Sequence, residues 1–161
     1  MSTVMSTFFS TMDSPIGSLM LTANERALTG LYFSKGKKAR SMPDPTWRQD
    51  DGLFEQAKRQ LQEYFSGQRR AFDLALEPLT TPFQSQVLAA LQDIPYGQTR
   101  TYKEIAEAVG SPKAVRAVGN ANGNNPLAIF IPCHRVVGSD GSLTGFGGGL
   151  DAKKFLLALE R

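Results

Sequence analysis

The spacing of apolar residues changes once along the chain, and this change restricts the fold. Three short segments at residues 7–12, 18–23 and 27–33 are rich in apolar, aromatic and threonine residues, and turn signals separate them. Such segments predict strands, and their short connections favour antiparallel pairing. Helical spacing follows, first in Leu53, Phe54, Ala57, Leu61, Tyr64 and Phe65. The sequence therefore predicts an α+β (α/β) protein.

Two domains are expected from this pattern. A small antiparallel sheet with one helix is predicted for residues 1–79, and a mainly helical domain for residues 80–161. The second domain begins with a helix at Thr81, where Pro82 suits the first turn and Gln84 is the expected capping-box partner. A final amphipathic helix is expected over residues 151–160.

Two adjacent helices in the second domain predict a helix-turn-helix. Thr101 and Glu104 form a capping box for the first helix, which ends at Gly110. Ser111–Pro112 begins the next helix, which ends near Gly123. Two short helices joined by a tight glycine-containing turn are typical of this unit, which occurs in DNA-binding proteins and as an ordinary helical pair within a core.

The second helix of this pair is unusually slim. Its polar side chains are few, and most of its other residues are alanine, valine or glycine: Lys113, Arg116, Asn120 and Asn122 are the polar ones. Small side chains allow close approach to a nucleic-acid backbone but carry little base-reading chemistry. If this helix binds DNA, we expect weak sequence preference, with phosphate contacts and shape providing the affinity.

The segment IPCHRVVG holds the only cysteine and the only histidine of the chain, Cys133 and His134. A lone cysteine is often a small buried hydrophobe, but a nearby imidazole can generate a reactive thiolate. Adjacent side chains in an extended segment point apart, and a water could bridge the gap between the pair. Glu160 is a candidate to orient the imidazole, although spacing alone favours an exposed surface glutamate.

Composition excludes several classes of protein. One cysteine excludes an intrachain disulfide, and one cysteine with one histidine cannot supply the four N/S ligands of a Cys-rich zinc cluster. We expect no metal and no cofactor. No apolar run approaches the length of a membrane span, and residues 1–14 lack the basic start of a signal peptide. We expect a cytoplasmic protein, and the net charge of +3 is compatible with an anionic partner.

These stretches resemble the O6-alkylguanine-DNA alkyltransferases, DNA repair proteins that transfer an alkyl group from guanine onto their own cysteine. The matching stretches run in family order from residue 81 to residue 160: TPFQSQVLAAL, IPYGQTRTYKEIA, SPKAVRAVGNANGNNP, IPCHRVVG, LTGFGGG and KKFLLALE. The first 80 residues match only loosely, at MDSPIGSLMLTA and YFSG. The resemblance implies direct reversal of DNA damage, with base flipping and one transfer per molecule, from O6-alkylguanine and by extension from O4-alkylthymine.

The resemblance also implies roles for individual residues. Cys133 would accept the alkyl group, His134 would act on that thiol through a water, and Glu160 would hold the imidazole. Asn125 would brace the turn before the site, and Tyr102 would hydrogen-bond the extruded base.

Further implied roles concern the base pocket and the DNA. Lys153 would assist Tyr102, and backbone groups of Cys133 and Val136 would recognise the base, while Phe146 and Gly147 would wall the pocket. Arg116 would replace the flipped nucleotide in the duplex. The other residues expected to contact DNA lie beside it: Lys113, Ala117, Gly119 and Asn120. The expected partner is double-stranded DNA with alkylated guanine, bound by a monomer, with cooperative loading left open.

Two positions depart from the family pattern, and three other interpretations compete. Many members carry Tyr where this chain has Phe146, and some carry Ser where it has Gly147, so the range of accepted alkyl groups stays open. A non-catalytic sensor of alkylguanine is disfavoured by the presence of Cys133. A Cys–His hydrolase would leave Arg116 and the helix-turn-helix unexplained. A transcription regulator would need more base-reading side chains on the second helix.

Overall fold

The computed structural model describes residues 6–36, 39–143 and 146–161. The elements of the first half are β1 (Phe8–Met12), β2 (Leu19–Ala23), β3 (Leu28–Phe33), β4 (Arg48–Gln49), a 3₁₀ turn (Gly52–Phe54) and α1 (Glu55–Phe65). The elements of the second half are α2 (Pro82–Gln92), β5 (Arg100–Thr101), α3 (Tyr102–Ala108), α4 (Val115–Gly123), a 3₁₀ turn (Cys133–Arg135), β6 (Val136–Val137) and α5 (Leu150–Leu159). Within this described part, no helix is long and apolar enough to cross a bilayer.

The first-half sheet has the strand order β3-β2-β1-β4. As predicted, β1 pairs antiparallel with β2, and β2 pairs antiparallel with β3. The two-residue strand β4 was not predicted. It pairs in parallel with β1, through Phe8 opposite Arg48 and Phe9 opposite Gln49, so the sheet is mixed. The long connection after β3 returns the chain to the open edge of β1, and strand spacing cannot reveal such a short pairing.

One apolar core runs through both halves of the chain. Leu19, Leu21 and Leu31 of the sheet pack with Leu61 of α1, and the same cluster of buried residues continues to Leu156 of α5. The exposed area of each of these five side chains is 4% or less. The halves therefore share buried surface where they meet, and the division at residues 79 and 80 stays a prediction.

The start of α2 is only partly as predicted. The Thr81 side chain accepts a hydrogen bond from the Gln84 backbone N–H, which makes it the expected N-cap. The capping-box role of Gln84 is wrong, because its side-chain amide donates instead to the backbone oxygens of Ala121 and Asn124. Gln84 thereby ties the first turn of α2 to the end of α4.

The helices α3 and α4 form the predicted helix-turn-helix. The capping box of Thr101 and Glu104 is complete, and Gly110, with φ of 76°, follows the end of α3. A left-handed backbone at this point favours glycine. The second helix begins at Val115, later than predicted, because the Ala114 N–H first closes a turn onto the Ser111 carbonyl. It packs against both α2 and α3 and leaves one face to solvent.

Candidate active site

A buried segment carries Cys133 into the junction of the two halves. Residues 127–131 are all buried, as predicted, and the 3₁₀ turn Cys133–Arg135 follows them. Ile129 has φ of 75°, a conformation that β-branched residues rarely adopt. Asn125 spans this turn: its amide donates to the Ile131 carbonyl at 2.9 Å, and its oxygen accepts from the Leu127 N–H at 3.0 Å. These contacts hold the turn in a defined shape.

The Cys133 side chain is buried, with only 4% of the residue exposed. Burial raises the pKa of the Cys133 thiol to about 11, although the Asn125 side chain and the charge of Lys153 act in the opposite direction. The Asn122 side chain donates to the Cys133 carbonyl at 3.3 Å. At neutral pH this cysteine is therefore a thiol, and a base must remove its proton before it can act as a nucleophile.

His134 is completely buried beside Glu160, with 2.7 Å between Nε2 and the carboxylate. Burial lowers the pKa of His134, against the opposing effect of the carboxylate, so the imidazole is neutral. A carboxylate only accepts, so Nε2 carries the proton and donates, and Nδ1 keeps its lone pair. No side chain or backbone group within the described ranges hydrogen-bonds Nδ1. The geometry thus leaves a basic nitrogen available.

Glu160 is the centre of a buried hydrogen-bond cluster, contrary to the exposed position that spacing favours. Arg135 donates to both carboxylate oxygens, at 2.8 and 3.0 Å, and the Tyr64 hydroxyl donates at 2.6 Å. Burial alone would raise the pKa of Glu160, but the hydrogen bonds from His134 and Arg135 hold it at about 2. These donors compensate for the unfavourable position of an acid at the end of α5.

Three residues of this site were not predicted: Tyr64, Asn122 and Arg135. Tyr64 lies at an apolar position of α1, and no spacing signal connects it with Glu160, 96 residues later. Arg135 directly follows the Cys–His pair, and its guanidinium also donates to the Ile94 carbonyl at 2.7 Å. Its place in the IPCHRVVG segment, directly after the Cys–His pair, was the sequence signal that could have identified it.

A cleft of about 240 Å³ opens onto Cys133. Residues from both halves line it, among them Leu31, Phe33, Asn125, Cys133, Phe146 and Gly147. The structure thus brings two of the predicted pocket residues, Phe146 and Gly147, next to the cysteine. Thr144 and Gly145 of the LTGFGGG stretch lie outside the described residues.

Other residues expected near the base do not line this cleft. Val136 is buried in β6, where its carbonyl accepts a 2.7 Å hydrogen bond from the Lys153 ammonium. Lys153 is completely buried on α5, and burial lowers its pKa while nearby Cys133 opposes that shift. Tyr102 is the first residue of α3, half-buried, and a Cβ at Gly119 would lie 3.9 Å from its ring.

The predicted DNA-contacting residues lie at the solvent side of α4. Arg116, Ala117 and Asn120 are exposed, and their spacing of three and four residues places them on one helical face. Lys113 is exposed just before the helix, and Gly119 is half-buried. In the described part of the chain, no three of the His, Cys, Asp and Glu side chains come close enough together to hold a metal ion.

Comparisons with known proteins match nearly the whole chain. The model of the 6-O-methylguanine DNA methyltransferase DNA-binding domain matches residues 82–161, and that of the ribonuclease-like domain of the same proteins matches residues 7–78. A methylated-DNA–protein-cysteine methyltransferase of Methanosarcina barkeri is 54% identical over 95% of this chain and 96% of that protein. The constitutive enzyme of that name from Bacillus subtilis is 45% identical, over 96% and 95%.

A solved structure is similar in fold along the same length. The crystal structure of Mycobacterium tuberculosis OGT in complex with DNA matches with a TM-score of 0.89 and 47% identity. The match covers 95% of this chain and 92% of that one.

Proposed function

The chain belongs to the 6-O-methylguanine DNA methyltransferase family, and from this premise we propose that it repairs DNA by moving the alkyl group of O6-alkylguanine onto Cys133. The observation that carries this proposal is the position of the only cysteine in a cleft, directly before His134, whose imidazole is hydrogen-bonded to Glu160. O4-alkylthymine, in which the alkyl group is also bound to an exocyclic oxygen of the base, is proposed as a second substrate.

The first step is removal of the thiol proton. His134 Nδ1 holds an available lone pair, because Nε2 donates to Glu160. We assign the Cys133 proton to this nitrogen, carried through one water molecule. Glu160 fixes the ring orientation and stabilises the imidazolium that forms, while the buried Lys153 ammonium stabilises the thiolate.

The second step is the transfer itself. The Cys133 thiolate attacks the alkyl carbon on O6, a carbon–sulfur bond forms, and the carbon–oxygen bond breaks with its electron pair going to the guanine. The Tyr102 hydroxyl, assisted by Lys153, donates a hydrogen bond to the leaving base, and backbone groups of Cys133 and Val136 recognise it. Asn125 keeps the thiol in place through its two backbone hydrogen bonds.

The product explains why each molecule would act once. A thioether on Cys133 has no labile bond that water can attack, so the free thiol is not regenerated. This chemistry needs no metal and no cofactor. It is stoichiometric, and one alkyl group per chain is the maximum.

The base must leave the duplex to reach a buried thiol. We propose that α4 enters the DNA groove and that Arg116 fills the space of the flipped nucleotide. Contacts to the backbone are assigned to four residues beside it: Lys113, Ala117, Gly119 and Asn120. A helix with such small side chains suits a protein that must find damage in any sequence context. The chain is proposed to bind as a monomer in the cytoplasm, with cooperative loading along DNA as a further property to measure.

Intact-mass spectrometry tests the transfer directly. Mixed with excess duplex carrying O6-methylguanine, the protein should gain the mass of one CH₂ group, located on Cys133 and limited to one per chain. Cys133→Ser should gain nothing and still bind the duplex. Tight binding of the original chain without a mass gain would indicate a sensor and contradict the proposal, and product release with an unmodified chain would indicate a hydrolase.

The duplex-specific role of Arg116 has its own readout in the same experiment. Arg116→Ala should slow methyl transfer from the duplex by about ten- to hundredfold, since opening a base pair costs a few kcal/mol. Transfer from free O6-methylguanine should change little. Arg59→Ala removes an equal charge from an exposed position on α1 and serves as the control. Equal effects of Arg116→Ala on both substrates would exclude the proposed insertion of Arg116 into the space of the flipped nucleotide.

A further inference from the structure

The cleft next to Cys133 has a wall that comes from the first half of the chain. Leu31 and Phe33 of β3 line it, together with Phe146 and Gly147 of the glycine-rich segment (residues 146–149). All the residues proposed above to bind the base or the alkyl group lie in the second half. The first half thus contributes apolar surface directly to the candidate site.

A backbone hydrogen bond fixes the position of this wall. The Leu31 N–H donates to the Pro126 carbonyl at 2.8 Å. Pro126 directly follows Asn125, which spans the turn that leads to Cys133. The strand and the turn next to the cysteine are therefore joined at a defined distance.

The Phe33 ring packs against the residues that close the cleft. Its centroid lies 5.3 Å from that of Phe146, with the rings inclined by 59°, and only 5% of Phe33 is exposed. Gly148 lies against the same ring, since a Cβ there would come within 2.8 to 3.0 Å of three ring carbons. The glycine-rich segment thus rests on Phe33 with no side chain between them.

A second close approach keeps the segment in this place. Gly36, three residues after β3, has φ of 98°, and a Cβ at this position would clash with the carbonyl oxygen of Gly147. Two backbones meet at this point at a distance that only glycine permits. This close approach holds Gly147 and Gly148 against the chain that follows β3, beside the Phe33 ring.

We propose that Phe33 is a specificity-determining residue that limits the size of the alkyl group that can reach Cys133. This inference rests on the proposed transfer reaction. The alkyl group must lie between the sulfur atom and the apolar wall, so a larger group has to displace Phe33 or Phe146. Close-packed rings resist such displacement, and an added apolar group in a fixed pocket changes discrimination by 10- to 200-fold in other enzymes, on the order of 1–3 kcal/mol.

The test compares two free bases, so that DNA binding does not enter. The rates of Cys133 modification by O6-methylguanine and by O6-benzylguanine are measured by intact mass for the original chain and for Phe33→Leu. The ratio of the benzyl to the methyl rate should rise about tenfold in the variant. Phe8→Leu is the matched control: Phe8 is half-buried on β1, packs on the same core and does not line the cleft. Its ratio should stay unchanged.

A variant of Gly148, which contacts the Phe33 ring, should lower the benzyl-to-methyl rate ratio instead of raising it. Gly148→Ala adds a methyl group within 2.8 to 3.0 Å of three Phe33 ring carbons, which we expect to push the ring towards the cleft, so the benzyl-to-methyl ratio should fall. Gly52→Ala is its control, since a Cβ there has only ordinary van der Waals contact, 3.6 Å from an Asp50 oxygen.

The outcomes separate this inference from the proposed function. An unchanged or lower ratio in Phe33→Leu would overturn the assignment of Phe33, while methylation of Cys133 continues. If the original chain formed no Cys133 adduct with either base or with the damaged duplex, the transfer reaction itself would be excluded. Comparing rate ratios for one protein sample removes any effect of a smaller folded fraction.

Discussion

Cys133 and Glu160 are both buried acids in one site, yet they differ in charge. Burial raises the pKa of each. Glu160 receives hydrogen bonds from three side chains, those of Tyr64, His134 and Arg135, and remains a carboxylate. Cys133 has weaker compensation and remains a thiol. Burial therefore favours the neutral form of each acid, and the number of hydrogen-bond donors decides whether the group stays neutral or ionises.

Removing the charge of Glu160 should have the largest effect. Glu160→Gln leaves the buried Arg135 guanidinium without its counter-charge, which should lower the free energy of unfolding by about 3–5 kcal/mol. Urea unfolding measures this loss. Glu77→Gln is the control, because it removes a surface ion pair with Arg26 and should cost at most about 1 kcal/mol. Similar costs in the two variants would contradict the importance of the buried cluster.

Lowering the pH neutralises the same carboxylate, that of Glu160, without a substitution. The pKa of Glu160 is depressed from 4.5 to about 2 on folding, so its contribution is present above pH 4.5 and lost as the pH falls towards 2. A shift of this size corresponds to about 3 kcal/mol. Glu160→Gln should lack this part of the acid dependence. An identical acid profile in both chains would show that Glu160 is not the group that titrates.

The ionisation of the Cys133 thiol, followed by ultraviolet absorbance, is expected to show the next largest effect. With the pKa of Cys133 raised to about 11, the ultraviolet absorbance of a thiolate should be missing around pH 8.5, where an exposed thiol titrates. The difference spectrum between the original chain and Cys133→Ser isolates this signal from the tyrosines. In urea the same difference should titrate near 8.5. A folded-state thiolate at neutral pH would put Cys133 in the same class as Glu160 and remove the contrast.

Of the four tests, Tyr64→Phe should have the smallest effect. It removes one donor from the carboxylate but keeps the ring that packs against Phe72 and Tyr96. Urea unfolding should show a loss of about 1.5 kcal/mol in the free energy of unfolding, at the lower end for a hydrogen bond to a charged group. In the control Tyr96→Phe, the hydroxyl lost makes a longer, 3.3 Å bond to the Leu159 carbonyl. Equal losses would mean that Tyr64 adds nothing specific to Glu160.

Local chemistry explains what the sequence could predict. The caps at Thr81 and Thr101 and the end of α3 at Gly110 depend on residues within one helical turn, and the structure has all three. The strands β1, β2 and β3 follow from their composition and short connections in the same way.

Contacts between distant residues explain what the sequence could not predict. The hydroxyl of Tyr64 reaches Glu160 across 96 positions, and the amide of Gln84 reaches Asn124 across 40. No local pattern distinguishes Tyr64 from an ordinary core aromatic on α1. The wall formed by Phe33 was missed for the same reason, since a buried strand residue gives no sign of the loop that covers it.

The meeting of Gly36 with the glycine-rich segment also bears on recombination between relatives. The hydrogen bond from Leu31 to Pro126 joins backbone atoms, so a first half from another protein can restore it with any residue except proline at the position of Leu31. The contact between Gly36 and Gly147 depends on residue type. A first half taken from another protein is therefore expected to keep this junction only if it has glycine at the position of Gly36.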